Sequence, residues 1–216
     1  MKDIVIIANF VSELDGDGNS RFLYLINLLK RNNNVELITS DFSHTRKERR
    51  NQSFEKVDYK VTLLHELGYK KNVCLKRFSS HLEWGKNVQS YLSTRKKPDI
   101  VYCAIPSLTA AYNAGNYCKK NNIKFIIDIQ DLWPEAFQMI FNVPILSSII
   151  FFPFNYLANS IYKNADEVVA VSKTYVDRAL KCNNKVANGH VVFLGTKLQE
   201  FDLNVSKNFI PQRKQI

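Results

Sequence analysis

A Rossmann-like α/β fold, with a doubly wound and mostly parallel sheet of about seven strands, is predicted by three features of this sequence. Short apolar runs alternate with amphipathic helical stretches along the chain, the pattern of strands joined by crossover helices. The runs are apolar throughout rather than at every second residue, as strands covered on both faces must be. Of 216 residues, 45% are hydrophobic and 23% charged, which suits a chain that buries a core.

The strand candidates are DIVIIANF (Asp3 to Phe10), VELITS (Val35 to Ser40), a weaker VDYKVTLL (Val57 to Leu64), DIVYCAI (Asp99 to Ile105), KFIIDI (Lys124 to Ile129), EVVAVS (Glu167 to Ser172) and HVVFLG (His190 to Gly195). Between them, Phe22, Leu25, Ile26 and Leu29 recur at helical spacing behind Asn19 or Ser20 as a cap. A second helix is predicted from about Lys76 to Arg95, with Pro98 separating it from the next strand. Ser107 and Ser172 stand in capping position before two more.

MIFNVPILSSIIFFPFNYL (Met139 to Leu157) is the most apolar stretch. A membrane-spanning helix needs about 20 apolar residues, and here Asn142, Pro144, Ser147, Ser148 and Pro153 interrupt the run. It therefore reads either as a buried core helix or as an interfacial helix whose aromatic face meets lipid.

The formal charge is +10. Such an excess favours anionic partners or reflects solvated lysines on loops. Much of it lies in HTRKERR (His44 to Arg50), near Lys70 and Lys96, and in the terminal KNFIPQRKQI. No zinc finger or RNP-like strand accompanies it, so nucleic acid is not an expected partner. The cysteines Cys74, Cys103, Cys118 and Cys182 are scattered without metal-ligand spacing, which points to reduced thiols in a cytoplasmic setting and no metal site. The opening MKDIVIIANF reads as a first strand and not as a signal peptide.

In open parallel sheets ligands bind outside the carboxyl ends of the strands. After the first strand, Gly16 and Gly18 allow a tight turn ahead of a helix N-terminus that offers backbone N–H groups to an anion, although the loop is not GxGxxG. Pro106 and Ser107 follow the fourth strand. The fifth ends in IIDIQDLWPEAF, where Asp128, Asp131 and Glu135 set three carboxylates around one strand end and Trp133 and Pro134 stiffen the turn. Carboxylates in a partly desolvated crevice can serve as a general base. The same residues also read as a helix cap (Asp131) and a core aromatic (Trp133).

The string DIQDLWPE, then NADEVVAVSKTYVDRAL and VVFLGTKLQEFD, resembles the N-terminal domain of glycosyltransferase family 4 enzymes with the GT-B fold. The likeness is to the bacterial branch that builds surface polysaccharides, with a D-x-WPE turn, and runs from Ile4 to about Asp202. It implies transfer of a sugar from a nucleotide-sugar, with retention and without a metal, to an acceptor held mainly by this domain. Asp15, Gly16, Gly18 and Asn19 would lie beside the reaction centre. Asp131 would orient or deprotonate the acceptor hydroxyl, with Glu135 second; some relatives have a histidine where this chain has Gln130–Asp131. Residues 1–202 would be the acceptor-side domain and 203–216 a tail. The donor would be bound mainly by a second domain, absent here, which a separate polypeptide could supply, so this half alone would not turn over efficiently.

The resemblance also implies a lipid-linked saccharide acceptor and hence work at an anionic membrane surface. Phe151, Phe152 and Phe154, with the basic Arg46, Lys47, Arg49 and Arg50, are the expected membrane contacts. Two other readings remain open from sequence: a non-catalytic binding module for an acceptor or membrane, and a fragment of a sugar-nucleotide epimerase.

Overall fold

The computed structural model describes residues 1–11, 21–50, 57–72, 74–138 and 144–195. Its strands are β1 (Asp3–Ile7), β2 (Asn34–Ser40), β3 (Phe42–Ser43), β4 (Glu48–Arg49), β5 (Lys60–Leu64), β6 (Ile100–Ile105), β7 (Lys124–Ile129), β8 (Glu167–Ala170) and β9 (His190–Val191). The helices are α1 (Arg21–Leu29), α2 (Leu75–Thr94), α3 (Leu108–Asn121), α4 (Glu135–Gln138), α5 (Pro144–Asn164) and α6 (Lys173–Leu180).

Seven strands form one sheet in the order β5-β2-β1-β6-β7-β8-β9, and every neighbouring pair is parallel. The chain starts at β1 in the middle, winds outward to β5, crosses back to β6 and winds the other way. This is the doubly wound order, and its direction reverses between β1 and β6. The predicted fold class is therefore the observed one. A short antiparallel pair, β3–β4, is an addition that the sequence did not announce. It is built from the basic HTRKERR run and its flanks.

Each face of the sheet has its own core. On one, Phe22, Leu23 and Ile26 of α1 pack on Ile4, Ile6 and Leu37. On the other, α2, α3, α5 and α6 cover Val5, Ile7, Val101 and Ile127 through residues such as Trp84, Val88, Ala111, Ile161 and Val176. The α2–α3 contact is close at Gly85, where an added Cβ would meet the backbone carbon of Thr109 at 2.9 Å. Ser172 caps α6 by accepting a hydrogen bond from the Tyr175 N–H at 3.3 Å. Ser107 occupies the cap position of α3 without a side-chain capping bond.

Helix α5 corrects one expectation. Phe151 is 6% exposed and belongs to the core, while its neighbour Phe152 is 69% exposed. Phe154 lies half-buried against Phe78 of α2, ring centroids 5.1 Å apart. The aromatic run thus straddles two environments, because residues adjacent on a helix point about 100° apart. Among the described residues, no helix is long and apolar enough to cross a membrane.

Candidate functional site

The carboxyl ends of β1, β2, β5 and β7 converge on a cluster of rings and cations. Phe10 follows β1, His44 lies in the β3–β4 turn, Tyr69 follows β5, Trp133 follows β7, and Arg77 and His81 project from the first turns of α2. Their i, i+4 spacing sets Arg77 and His81 on one helix face. The His81 ring stacks on Trp133 with centroids 5.3 Å apart and an interplanar angle of 22°. Phe10 packs against His44 at 4.5 Å and against His81 at 5.6 Å. The Arg77 guanidinium lies 4.7 Å from the Trp133 ring centre, 5.6 Å from that of Tyr69 and 5.7 Å from that of Phe10. Such contacts hold a cation by ring electrostatics in place of a carboxylate.

Several polar atoms here have no hydrogen-bond partner. His81 is 4% exposed, and both of its ring nitrogens are unpaired. So are the Arg77 Nε, the Asn9 side-chain Nδ2 just after β1 and the Gln130 Nε2 just after β7. Buried polar groups are nearly always satisfied, so these atoms stand out at strand ends, where open parallel sheets bind ligands. His81 is positioned from behind: Thr109 Oγ1 donates to its backbone carbonyl at 2.5 Å.

Burial and then the charge of Arg77 push the His81 imidazole down to about 3. Burial and the charges of Lys47 and Arg77 push His44 down to about 4. Both rings are therefore neutral at physiological pH. An unfolded chain binds these protons near the ordinary value of 6.5, so folding stability is complete above that value and falls as pH drops toward 4. The slope is at most about 1.4 kcal/mol per pH unit for each ring. Thermal unfolding at pH 7, 6 and 5 should show this loss, and His81→Gln should flatten it.

The three predicted carboxylates do not converge. Asp128 is fully buried and paired bidentately with Arg21 of α1, Nε to Oδ2 at 2.7 Å and Nη2 to Oδ1 at 3.0 Å. Arg21 also donates to the Val192 carbonyl at 2.8 Å. This carboxylate ties the α1 face of the sheet together and is occupied. Glu135 is paired with Arg178 of α6 at 2.5 Å. Asp131 alone remains beside the ring cluster. Its Oδ2 accepts the Trp133 indole N–H at 3.0 Å, an arrangement that orients the ring stacked on His81 and departs from the helix-cap reading.

Pro106 follows β6 at the reversal point, and the buried Ser107 hydroxyl lies 3.3 Å from Thr109 Oγ1. Ser107 thus packs at the start of α3. Asp15, Gly16, Gly18 and Asn19 lie outside the described residues.

The expected membrane contacts separate. Arg49 donates to the Glu66 and Leu67 carbonyls, and Arg50 Nε donates to the Ser40 carbonyl at 3.0 Å, so both brace the β3–β4 pair against the sheet. Lys47 lies over the Tyr69 ring at 4.8 Å. Exposed apolar side chains on these helices are instead Ile149, Ile150, Phe152 and Tyr156 of α5 and Leu75 and Leu82 of α2.

Asn9 and Phe10 are hidden in the sequence because DIVIIANF reads as strand to its end, whereas β1 stops at Ile7. His44, Arg77 and His81 come from separate excursions, and only the Arg77–His81 spacing hinted at a shared face. Among the described residues, no group of His, Cys, Asp and Glu could hold a metal ion.

No protein-family model matches the sequence, and no curated protein matches it. Solved structures match the fold. Alr3699/HepE from Anabaena, in complex with UDP and glucose, is similar with a TM-score of 0.53 and 12% identity, over 96% of this chain and 50% of that one. UGT89C1 from Arabidopsis thaliana, complexed with UDP, gives a TM-score of 0.56 and 12% identity over 98% and 56%. A sucrose-phosphate synthase chain from Thermosynechococcus elongatus gives 0.50 and 12% over 94% and 95%. The chain spans about half the length of the HepE and UGT89C1 chains. At such identities the likeness is one of fold, a Rossmann-like domain of the GT-B type.

Proposed function

We propose that the chain is the N-terminal, acceptor-side domain of a family 4, retaining glycosyltransferase. It would hold a lipid-linked saccharide for transfer of sugar from a nucleotide-sugar in capsule, O-antigen or exopolysaccharide synthesis. The observation that carries this reading is the ring and polar cluster at the strand ends, which includes Trp133 of the DLWPE turn. Stacked aromatic faces with unpaired donors and acceptors beside them suit a sugar, which presents apolar C–H faces and hydroxyls together. HepE and UGT89C1, solved with UDP, share the fold and support the nucleotide-sugar side. The donor would bind to a second domain, on this polypeptide or a separate one, and catalysis needs both halves in one oriented complex.

Asp131 is the group assigned to the acceptor hydroxyl in this reading. Asparagine at 131 retains an oxygen to accept the Trp133 N–H while removing the negative charge. Asp131→Asn should lower transfer by roughly a hundredfold in the complete enzyme, with an unchanged melting temperature. Transfer at the wild-type rate would remove Asp131 from the chemistry.

A second reading is favoured by the exposed apolar face of α5 and α2: a non-catalytic module that binds acceptor or anionic membrane. Exposed Lys70, Lys71, Lys76 and Lys86 lie on α2 or just before it, beside Leu75 and Leu82. Apolar insertion and charge attraction add at an anionic surface. Both readings share that surface; acceptor-dependent sugar transfer after addition of a donor-domain polypeptide separates them.

A further inference from the structure

We propose that Lys47, Arg77 and His44, where the β3–β4 turn meets the start of α2, form a binding site for a diphosphate group. The acceptor-side reading enters only in naming the molecule that carries the diphosphate; the anion site stands on its own geometry.

Three basic side chains meet there. The Lys47 Nζ is 3.4 Å from the His44 Nδ1, and both Lys47 and Arg77 border the Tyr69 ring. The His44 Nδ1 is also hydrogen-bonded to the Tyr69 hydroxyl. Neither Lys47 nor Arg77 has an ion-pair partner among the described residues. Lys47 donates to the Asn72 side chain at 2.5 Å and Arg77 to the Asn72 carbonyl at 2.9 Å, both neutral oxygens. The nearby carboxylate, Glu66, is buried and accepts from the Ser80 hydroxyl at 2.7 Å.

Burial and then the charge of Arg77 lower the Lys47 ammonium below its ordinary value, the mark of like charges held together. Elsewhere the chain pairs comparable cations: Arg21 with Asp128, Arg95 with Asp3 and Arg178 with Glu135. Two further observations point to a ligand at this spot. The Arg77 Nε and both nitrogens of the nine-tenths-buried His81 lack partners. The first turn of α2 has no side-chain cap from Cys74, and the Arg77 N–H there donates to the Cys74 carbonyl at 3.1 Å. A guanidinium, an ammonium and an uncapped helix start match the charge and multiple acceptors of a diphosphate better than those of a single carboxylate.

The test is calorimetric titration of the full chain with inorganic pyrophosphate at low and moderate salt. Saturable one-to-one binding is expected, weakened roughly tenfold or more by Lys47→Gln and by Arg77→Gln, and unchanged by Lys163→Gln at the far end of α5. Circular dichroism monitors folding, and Lys47→Gln carries the test if Arg77→Gln unfolds. Absence of saturable binding, or an equal loss with Lys163→Gln, would overturn the site. Farnesyl diphosphate and uridine diphosphate then separate the two sources of a diphosphate. Tighter binding of farnesyl diphosphate supports a lipid-linked acceptor. Tighter binding of uridine diphosphate upholds the anion site and overturns the acceptor assignment.

Discussion

Replacing Arg21 with alanine is expected to destabilise the fold by about 3–5 kcal/mol, because it strands the Asp128 carboxylate inside the sheet. Asp128 is fully buried on β7, and its oxygens accept from the Arg21 guanidinium at 2.7 and 3.0 Å. The neighbouring Tyr102 is only partly buried, and burial and then the Asp128 charge push its hydroxyl pKa upward. Arg21 also holds the chain beyond β9 through the Val192 carbonyl, so its loss frees that edge as well. For a chain of this length the change corresponds to a melting temperature lower by on the order of 10 °C. Thermal denaturation of Arg21→Ala, Arg21→Lys and the double variant Arg21→Met/Asp128→Leu provides the check. The lysine variant should fall between wild type and alanine, and the double variant should recover most of the loss. A drop below about 1 kcal/mol for alanine would mean that water reaches Asp128.

Phe151 and Phe152 should behave oppositely under the same substitution. Phe151→Ser removes a ring that is 6% exposed and leaves a hydroxyl in the core. The cavity and the buried polar group together should cost about 3–5 kcal/mol. Phe152→Ser acts on an exposed ring and should change stability by less than about 0.5 kcal/mol. If the α5 face docks on membrane, Phe152→Ser should release the protein from anionic vesicles in a flotation assay while Phe151→Ser chiefly lowers the melting temperature. Binding of the Phe152→Ser protein equal to wild type would remove α5 from the membrane contact. A triple replacement including Phe154 would mix the two effects, since Phe154 packs against Phe78.

How far the sequence could be read depends on the range of the interactions concerned. Strands β6 and β7 were legible because a continuous apolar run between turn signals needs only its own residues to be recognised. The capping role of Ser172 was legible for the same reason. Asp131 and Trp133 were correctly placed at a strand end, yet their hydrogen bond to each other could not be read from a list of residue types. Asp128 looked like Asp131 in sequence, three residues earlier, but faces α1 and is neutralised by a residue 107 positions away. The basic HTRKERR run offered charge without direction. The β3–β4 pair turns Arg49 and Arg50 to backbone carbonyls and sets Lys47 beside Tyr69.

By itself the sequence determined the parallel α/β class, the approximate strands, and the place of the DLWPE turn just after a strand end. Those properties follow from local periodicity and from the rule that open sheets bind ligands at their carboxyl ends. Only the tertiary structure decided which carboxylates are occupied, which phenylalanine of α5 is core, and that Phe10, His44, Tyr69, Arg77, His81 and Trp133 share one place. Each of these depends on side chains from separate crossovers meeting in space, where burial and unpaired charge are set by neighbours far away along the chain.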